Sequence, residues 1–189
     1  MDDASQPTPS QTVGPFFGYA LPYRGGTDIV APWQDGAITL HGTVFDGAGV
    51  PVPDAILEIW QADPAGKLAP KPGSVARDGV TFTGFGRAAT DAEGHYLFHT
   101  VRPGPVNDRD GGAQAPHLSL AVFARGVTLH LFTRVYFPDA TEANRADPML
   151  STLPADRART LLAQHGPDGT YRFDVRLQGE RETVFLDIR

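Results

Sequence analysis

Cysteine is absent from the sequence, which excludes a disulfide scaffold, a thiolate nucleophile and a cysteine-ligated metal. Positive charge is in deficit too. Against 22 acidic residues stand 16 basic ones, a formal net charge of −6, so a general grip on nucleic acid, which needs a basic surface to neutralise phosphates, is not expected. No apolar run approaches the roughly 18 residues of a membrane span. The start, Met1-Asp2-Asp3-Ala4-Ser5, lacks the basic and apolar regions of a signal peptide, so the expectation is a cytoplasmic protein without membrane contact. The phosphate-binding G-x-x-x-x-G-K, the dinucleotide G-x-G-x-x-G, H-E-x-x-H and the nucleophile-elbow G-x-S-x-G are all missing. With five serines, a serine triad would have to form without any local signature.

Glycine and proline are plentiful, at 21 and 17 of 189 residues. That frequency of breaks argues for many short strands joined by turns rather than a helical bundle. Residues 1–14 are polar, carry Pro7 and Pro9, and read as an arm whose extended reach is ~45 Å. The following Gly14-Pro15-Phe16-Phe17-Gly18-Tyr19-Ala20-Leu21-Pro22-Tyr23 is dense in aromatics, but its prolines forbid a central strand. Such a segment packs flat against something, either as a lid on its own core or as a strap across a neighbouring subunit.

From Ala37 the period is two. Strands are expected at Ile38–Phe45, Ala55–Gln61, His95–Val101, His117–Ala124 and Val127–Phe137, with Thr81–Ala89 extended and the last strands at Tyr171–Leu177 and Thr183–Ile188. Long loops fall at 62–80 and 102–116. Turns centre on Asp46-Gly47-Ala48-Gly49 and Asp91-Ala92-Glu93-Gly94, and turn chemistry accounts for those acids and for Asp54. One helix is expected over Pro154–His165, from Leu153, Ala158, Leu161 and Leu162 at helical spacing, with a proline near its start and Gly166 beyond its end. The fold class is therefore all-β: an antiparallel β-sandwich of about eight strands with long loops, one short helix and an extended N-terminal arm. Arm and strap occupy 1–23 and the sandwich 24–189.

None of the six histidines forms an H-x-H pair. His95 and His99 share a strand face but lie two steps of ~6.8 Å apart, too far to hold one ion. His41, His117 and His130 sit in polar phases of strands, where a hydrogen-bonded or solvated imidazole is the ordinary outcome, and His165 ends the expected helix, where its cation suits the dipole. Arg134 is mid-strand, in phase with His130 and Tyr136. A guanidinium there calls for a carboxylate, either a structural partner or a ligand. Composition and periodicity go no further and name no reaction.

Several segments, in order, carry a family resemblance: Thr8-Pro9-Ser10-Gln11-Thr12-Val13-Gly14-Pro15-Phe16-Phe17, Leu40-His41-Gly42-Thr43-Val44-Phe45-Asp46, Leu57-Glu58-Ile59-Trp60-Gln61-Ala62, Thr90-Asp91-Ala92-Glu93-Gly94-His95-Tyr96, Arg102-Pro103-Gly104-Pro105, Ala115-Pro116-His117, Leu131-Phe132-Thr133-Arg134-Val135-Tyr136-Phe137 and Tyr171-Arg172-Phe173-Asp174-Val175. In this order they resemble the intradiol ring-cleaving dioxygenases, from about Ser10 to the C-terminus, and in particular the α chain of the family's two-chain members. The resemblance implies a β chain of similar fold that holds Fe(III) with two tyrosinates and two histidines. Carried onto this sequence, the tyrosine positions are Leu68 and Val106 and the histidine positions His117 and Ser119. Two aliphatic side chains in place of phenolates cannot hold ferric iron, so the expectation is a chain that binds no metal and relies on Fe(III) in its β partner. The family also implies that the arm and the long-strand arginine line the partner's substrate pocket: Thr12, Gly14, Pro15, Phe16 and Arg134, with Arg134 facing the carboxylate of protocatechuate. The implied reaction is O2-dependent cleavage to 3-carboxy-cis,cis-muconate in a higher-order αβ assembly. The competing readings are a stand-alone sandwich that binds a small ligand, with a closed surface over 14–23, and a self-sufficient iron enzyme using His117 and some of Tyr19, Tyr23, Tyr96, Tyr136 and Tyr171.

Overall fold

A computed structural model describes residues 11–69, 78, 81–108, 111–167 and 169–187. Residues 1–10 of the expected arm, most of the second half of the 62–80 loop and Ile188 of the last expected strand lie outside the described residues. Two sheets face each other. In the first, β1 (Ala37–Phe45) pairs antiparallel with β4 (His95–Val101) along its full length, from Ala37 opposite Val101 to Thr43 opposite His95. The second has the order β3-β2-β7-β8, all antiparallel, from β2 (Ile56–Trp60), β3 (Phe85–Ala89), β7 (His117–Phe123) and β8 (Leu131–Tyr136). The short strands β5 (Val106–Asn107) and β6 (Ala113–Gln114) form a hairpin inside the expected 102–116 loop.

The core is the alternation read from the sequence. Leu40, Val44, Tyr96 and Phe98 from one sheet meet Leu57, Ile59, Leu118, Leu120, Val122 and Val135 from the other, all buried. Each such side chain removed from water contributes about 1.5–3 kcal/mol. The turn at 91–94 carries the chain from β3 to β4, between the sheets. Asp91 Oδ1 accepts the amides of Glu93 and His95, and Gly94 takes φ +74°. Asp46 Oδ1 does the same for Ala48 and Val50.

Several expected elements fold differently. On its free edge β1 is joined by β10 (Thr170–Arg172) and then β11 (Val175–Arg176), both parallel to it, so the first sheet is not purely antiparallel. The expected strand Tyr171–Leu177 is broken at Phe173–Asp174, where Asp174 Oδ1 instead of a backbone carbonyl accepts the Thr43 amide. Gly42 permits this crossing, since a Cβ there would lie 1.9 Å from the Phe173 carbonyl oxygen. Over 183–187 there is a single bridge, Leu186 to Phe132, rather than a strand.

The Val127–Phe137 strand starts only at Leu131. Gly126, at φ +82°, turns the chain, and the Val127 amide bonds back to Ala124, so the alternating residues 127–130 lie in the connection. Nor does the helix reach His165. Helix α3 (Ala155–Arg159) follows α1 (Phe17–Ala20) and α2 (Thr141–Ala146), three short helices where one was expected. After Thr160 the backbone pairs with the end of β8: the Tyr136 amide bonds Leu161 O and the Ala163 amide bonds Tyr136 O. Those bonds outweigh the helical periodicity of Leu161 and Leu162. His165 consequently lies in β9 (Gln164–His165), stacked on Tyr171 at 4.9 Å, and caps no helix. The 141–163 segment builds a second cluster of Tyr136, Leu150, Leu161 and Val184 on the outer side of β8.

Candidate functional site

Because Leu118, Leu120 and Val135 point into the core, the alternation sends His117, Ser119, Arg134 and Tyr136 to the outer face of the second sheet. The register lines them up: Trp60 opposite Ser119, Ser119 opposite Arg134, and His117 opposite Tyr136. Tyr136, assigned to a polar phase by its alternation, is fully buried because the second cluster covers it.

Beneath this row sits Asp147, which is 0% exposed. Its Oδ1 accepts the amides of Met149 and Leu150, both at 3.0 Å, and the Tyr136 hydroxyl at 3.2 Å, while Oδ2 accepts the Ala115 amide at 2.9 Å. Four donors make a buried carboxylate tolerable. The Tyr136 oxygen in turn accepts Arg134 Nη1 at 3.1 Å. Burial is the main cause that raises the Tyr136 phenol, to about 12, so it stays protonated and donates to Asp147. Arg134 is half-buried, yet among the described residues it forms no salt bridge. Of the two partners the sequence leaves open, no structural carboxylate meets Arg134 among the described residues; a neutral hydroxyl holds the guanidinium.

His117 is buried, 5.4 Å from the Tyr136 ring, with its Nδ1 2.8 Å from Ala115 O. Desolvation first, and the Arg134 charge second, lower its pKa to about 4. The imidazole is neutral at pH 7, so Nδ1 donates to the carbonyl and Nε2 carries the lone pair.

Of the four positions aligned with iron ligands, His117 and Ser119 stand on this face, while Leu68 and Val106 belong to two segments that touch each other. Gln61, buried after Trp60, donates to Val101 O and accepts the Thr100 hydroxyl, pinning the root of the Leu68 loop to β4. That loop meets the Pro103–Val106 turn so closely that a Cβ on Gly66 would lie 2.2 Å from Pro105 O, and one on Gly104 2.5 Å from the Gly66 nitrogen. Val106 pairs with Gln114, three residues before His117. The donor set does not fit Fe(III): two aliphatic groups, one hydroxyl and one imidazole offer no anionic oxygen. Two tyrosine hydroxyls are engaged within the chain, that of Tyr96 with Phe173 O and that of Tyr136 with Asp147. Tyr171 packs in the main core, edge-on to Phe137.

The arm residues lie elsewhere on the chain. Thr12 Oγ1 accepts the Gly126 amide at 3.0 Å, in the β7–β8 connection, and Pro15 lines a cleft with Asp54, Ala89 and Arg125. Arg134 stands three residues into β8, roughly 10 Å further along the ladder. The strap has two faces. Phe17 is buried, and Leu21 O accepts Arg87 Nη1 on the chain's own β3, as the lid reading expects. Phe16 and Tyr19, however, are 74% and 88% exposed, so the surface over 14–23 is not closed. The sequence reading missed Asp147. The Asp-Pro pair marks a turn, but nothing local signals that its carboxylate is buried.

The chain belongs to the intradiol dioxygenases: the family model described as Dioxygenase matches residues 31–179. Family members depend on non-haem iron. Within the family, the chain is 47% identical to the protocatechuate 3,4-dioxygenase alpha chain of Burkholderia cepacia, covering 96% of this chain and 97% of that one. It is 41% identical to the alpha chain of Pseudomonas putida, over 95% and 96%. The Burkholderia cepacia beta chain is more distant, at 31% identity over 77% of this chain and 66% of its own length. Among solved structures, the dioxygenase domain of a carbohydrate-binding fusion protein from Streptomyces sp. SirexAA-E superposes with TM-score 0.56 at 29% identity, over 92% of this chain and 99% of that one. Among the described residues no helix is long and apolar enough to cross a membrane.

Proposed function

We propose that this chain is the α subunit of a protocatechuate 3,4-dioxygenase, that it holds no iron, and that it completes the substrate pocket of an iron-bearing β subunit. The observation that carries the reading is Arg134: a half-buried guanidinium without a carboxylate partner among the described residues, on the same sheet face as His117 and Ser119. A bidentate guanidinium–carboxylate contact is the natural use for such a group. It would fix a carboxylated catechol through the substituent remote from the reacting hydroxyls. Iron held by the partner would supply the O2 chemistry that turns protocatechuate into 3-carboxy-cis,cis-muconate, and this chain's share is to bind and orient the substrate.

The strap belongs to the same reading. With Phe17 anchored on this chain's own sheet, exposed Phe16 and Tyr19 are left to pack on the β subunit as apolar wall. A Cβ on Gly14 meets nothing within 4 Å on this chain, so its own fold does not require the glycine there. Close approach of Gly14 and Pro15 to a surface outside the chain accounts for it, with Thr12 tethering the arm to Gly126. On this reading residues 1–23 serve as the intersubunit arm and 24–189 as the sandwich, and αβ units associate further.

The test is reconstitution. The chain expressed alone should contain no stoichiometric iron, show no visible tyrosinate-to-iron band and leave protocatechuate intact. Co-expressed with a β-type chain, it should yield a coloured, active complex. An iron-loaded, active chain without any partner would refute the assignment.

A further inference from the structure

The network behind Arg134 supports a residue role that the family resemblance does not assign. Arg134 and Tyr136 are two apart on one strand, so their side chains leave the same face, and β8 holds their roots rigidly. The guanidinium donates to the phenol oxygen at 3.1 Å and the phenol donates to Asp147 Oδ1 at 3.2 Å. Asp147 cannot follow a moving phenol, because three backbone amides hold its two oxygens. The hydroxyl is also sealed in place, since Tyr136 lies in the second cluster with Leu150, Leu161 and Val184. A donor chain that ends on a fixed anion orders every member of it. An arginine with several rotatable bonds would otherwise lose side-chain entropy each time it bound a ligand.

The end of the chain matters as much as its order. Had Arg134 met Asp147 directly, its charge would be paired and its donors occupied, leaving little for a second carboxylate. The phenol separates the charges: it takes one N–H of Arg134, the other donors of the fork have no partner among the described residues, and the anchoring passes to Asp147. Neutral His117 on the facing strand adds no competing charge.

We infer that Tyr136, anchored by Asp147, is a positioning residue that presents Arg134 to the substrate carboxylate and so sets the preference for carboxylated over plain catechols. The inference rests on the proposed role of Arg134. In the co-assembled αβ enzyme, Tyr136→Phe keeps the ring and removes only the hydroxyl. The ratio of kcat/KM for protocatechuate to that for catechol should fall roughly tenfold, the effect of one lost hydrogen bond to a charged group at the lower end of its range. Because the hydroxyl acts through the guanidinium, adding Tyr136→Phe to Arg134→Ala should cost nothing more in that ratio; a merely structural hydroxyl would give additive losses, and additivity overturns the inference. An unchanged ratio in Tyr136→Phe, with a clear fall in Arg134→Ala, also overturns it and leaves the role of Arg134 standing. No change in Arg134→Ala refutes both. Should Tyr136→Phe fail to assemble, 3-fluorotyrosine at position 136 keeps the size and gives a poorer acceptor; the ratio should still fall several-fold, and an unaltered ratio sinks the proposal.

Discussion

Lowering the pH should destabilise this chain in part through His117. In the fold its pKa is lowered to about 4, chiefly by burial and then by the Arg134 charge, against 6.5 for an ordinary imidazole. Between those values the unfolded chain binds a proton that the folded chain does not, so stability rises with pH across that window. The contribution is fully present above about 6.5, declines as the pH falls, and is fully lost below about 4. At pH 5 the unfolded state has gained about 1.5 pH units of protonation free energy, or about 2 kcal/mol. With a urea dependence of about 2 kcal/mol per M for a chain of this size, the midpoint should fall by roughly 1 M between pH 7 and pH 5 from this group alone. Carboxylates titrate over the lower part of the same range, so the measurement is a difference: urea unfolding of the wild type and of His117→Asn, which retains a donor for Ala115 O, at half-unit steps from pH 4 to 8. The wild type should lose more stability on acidification than the variant, and histidine NMR should show the His117 imidazole titrating well below 6.5. Parallel pH profiles, or an imidazole at 117 titrating near 6.5, would refute the argument.

Two substitutions probe the framework. Gly42→Ala places a Cβ 1.9 Å from the Phe173 carbonyl oxygen, a backbone contact that cannot yield without parting β1 from its parallel neighbours; a loss above about 3 kcal/mol, or failure to fold, is expected in thermal unfolding. An unaltered Tm would show that this crossing is not close-packed. Asp147→Ala strips acceptors from the buried amides of Ala115 and Leu150 and from the Tyr136 hydroxyl, each costing about 1–3 kcal/mol, so soluble yield and Tm should collapse, whereas a Tm within a few degrees of wild type would contradict the network.

What the sequence determines by itself is whatever depends on neighbours a few residues away. Period-two alternation located β1, β2, β4 and β7, because a strand with one face on a core must alternate. Asp46 and Asp91 were read as turn formers because an aspartate can cap amides two and four residues on. The residue types at Leu68 and Val106 ruled out ferric phenolates at those positions, since no fold gives an aliphatic carbon a lone pair. The tertiary structure decided the rest. Leu161 looked helical until its carbonyl was needed by Tyr136, and alternation over Val127–His130 carried no weight once Gly126 turned the chain. Tyr136 read as polar-faced because the sequence does not show that residues 141–163 fold back over β8. Arg134 stays between structural partner and ligand contact in the sequence for the same reason: local pattern does not show where Asp147, thirteen residues away, spends its oxygens. It spends them on backbone amides and a phenol and makes no ion pair with the guanidinium, a long-range allocation of hydrogen bonds that local pattern does not encode.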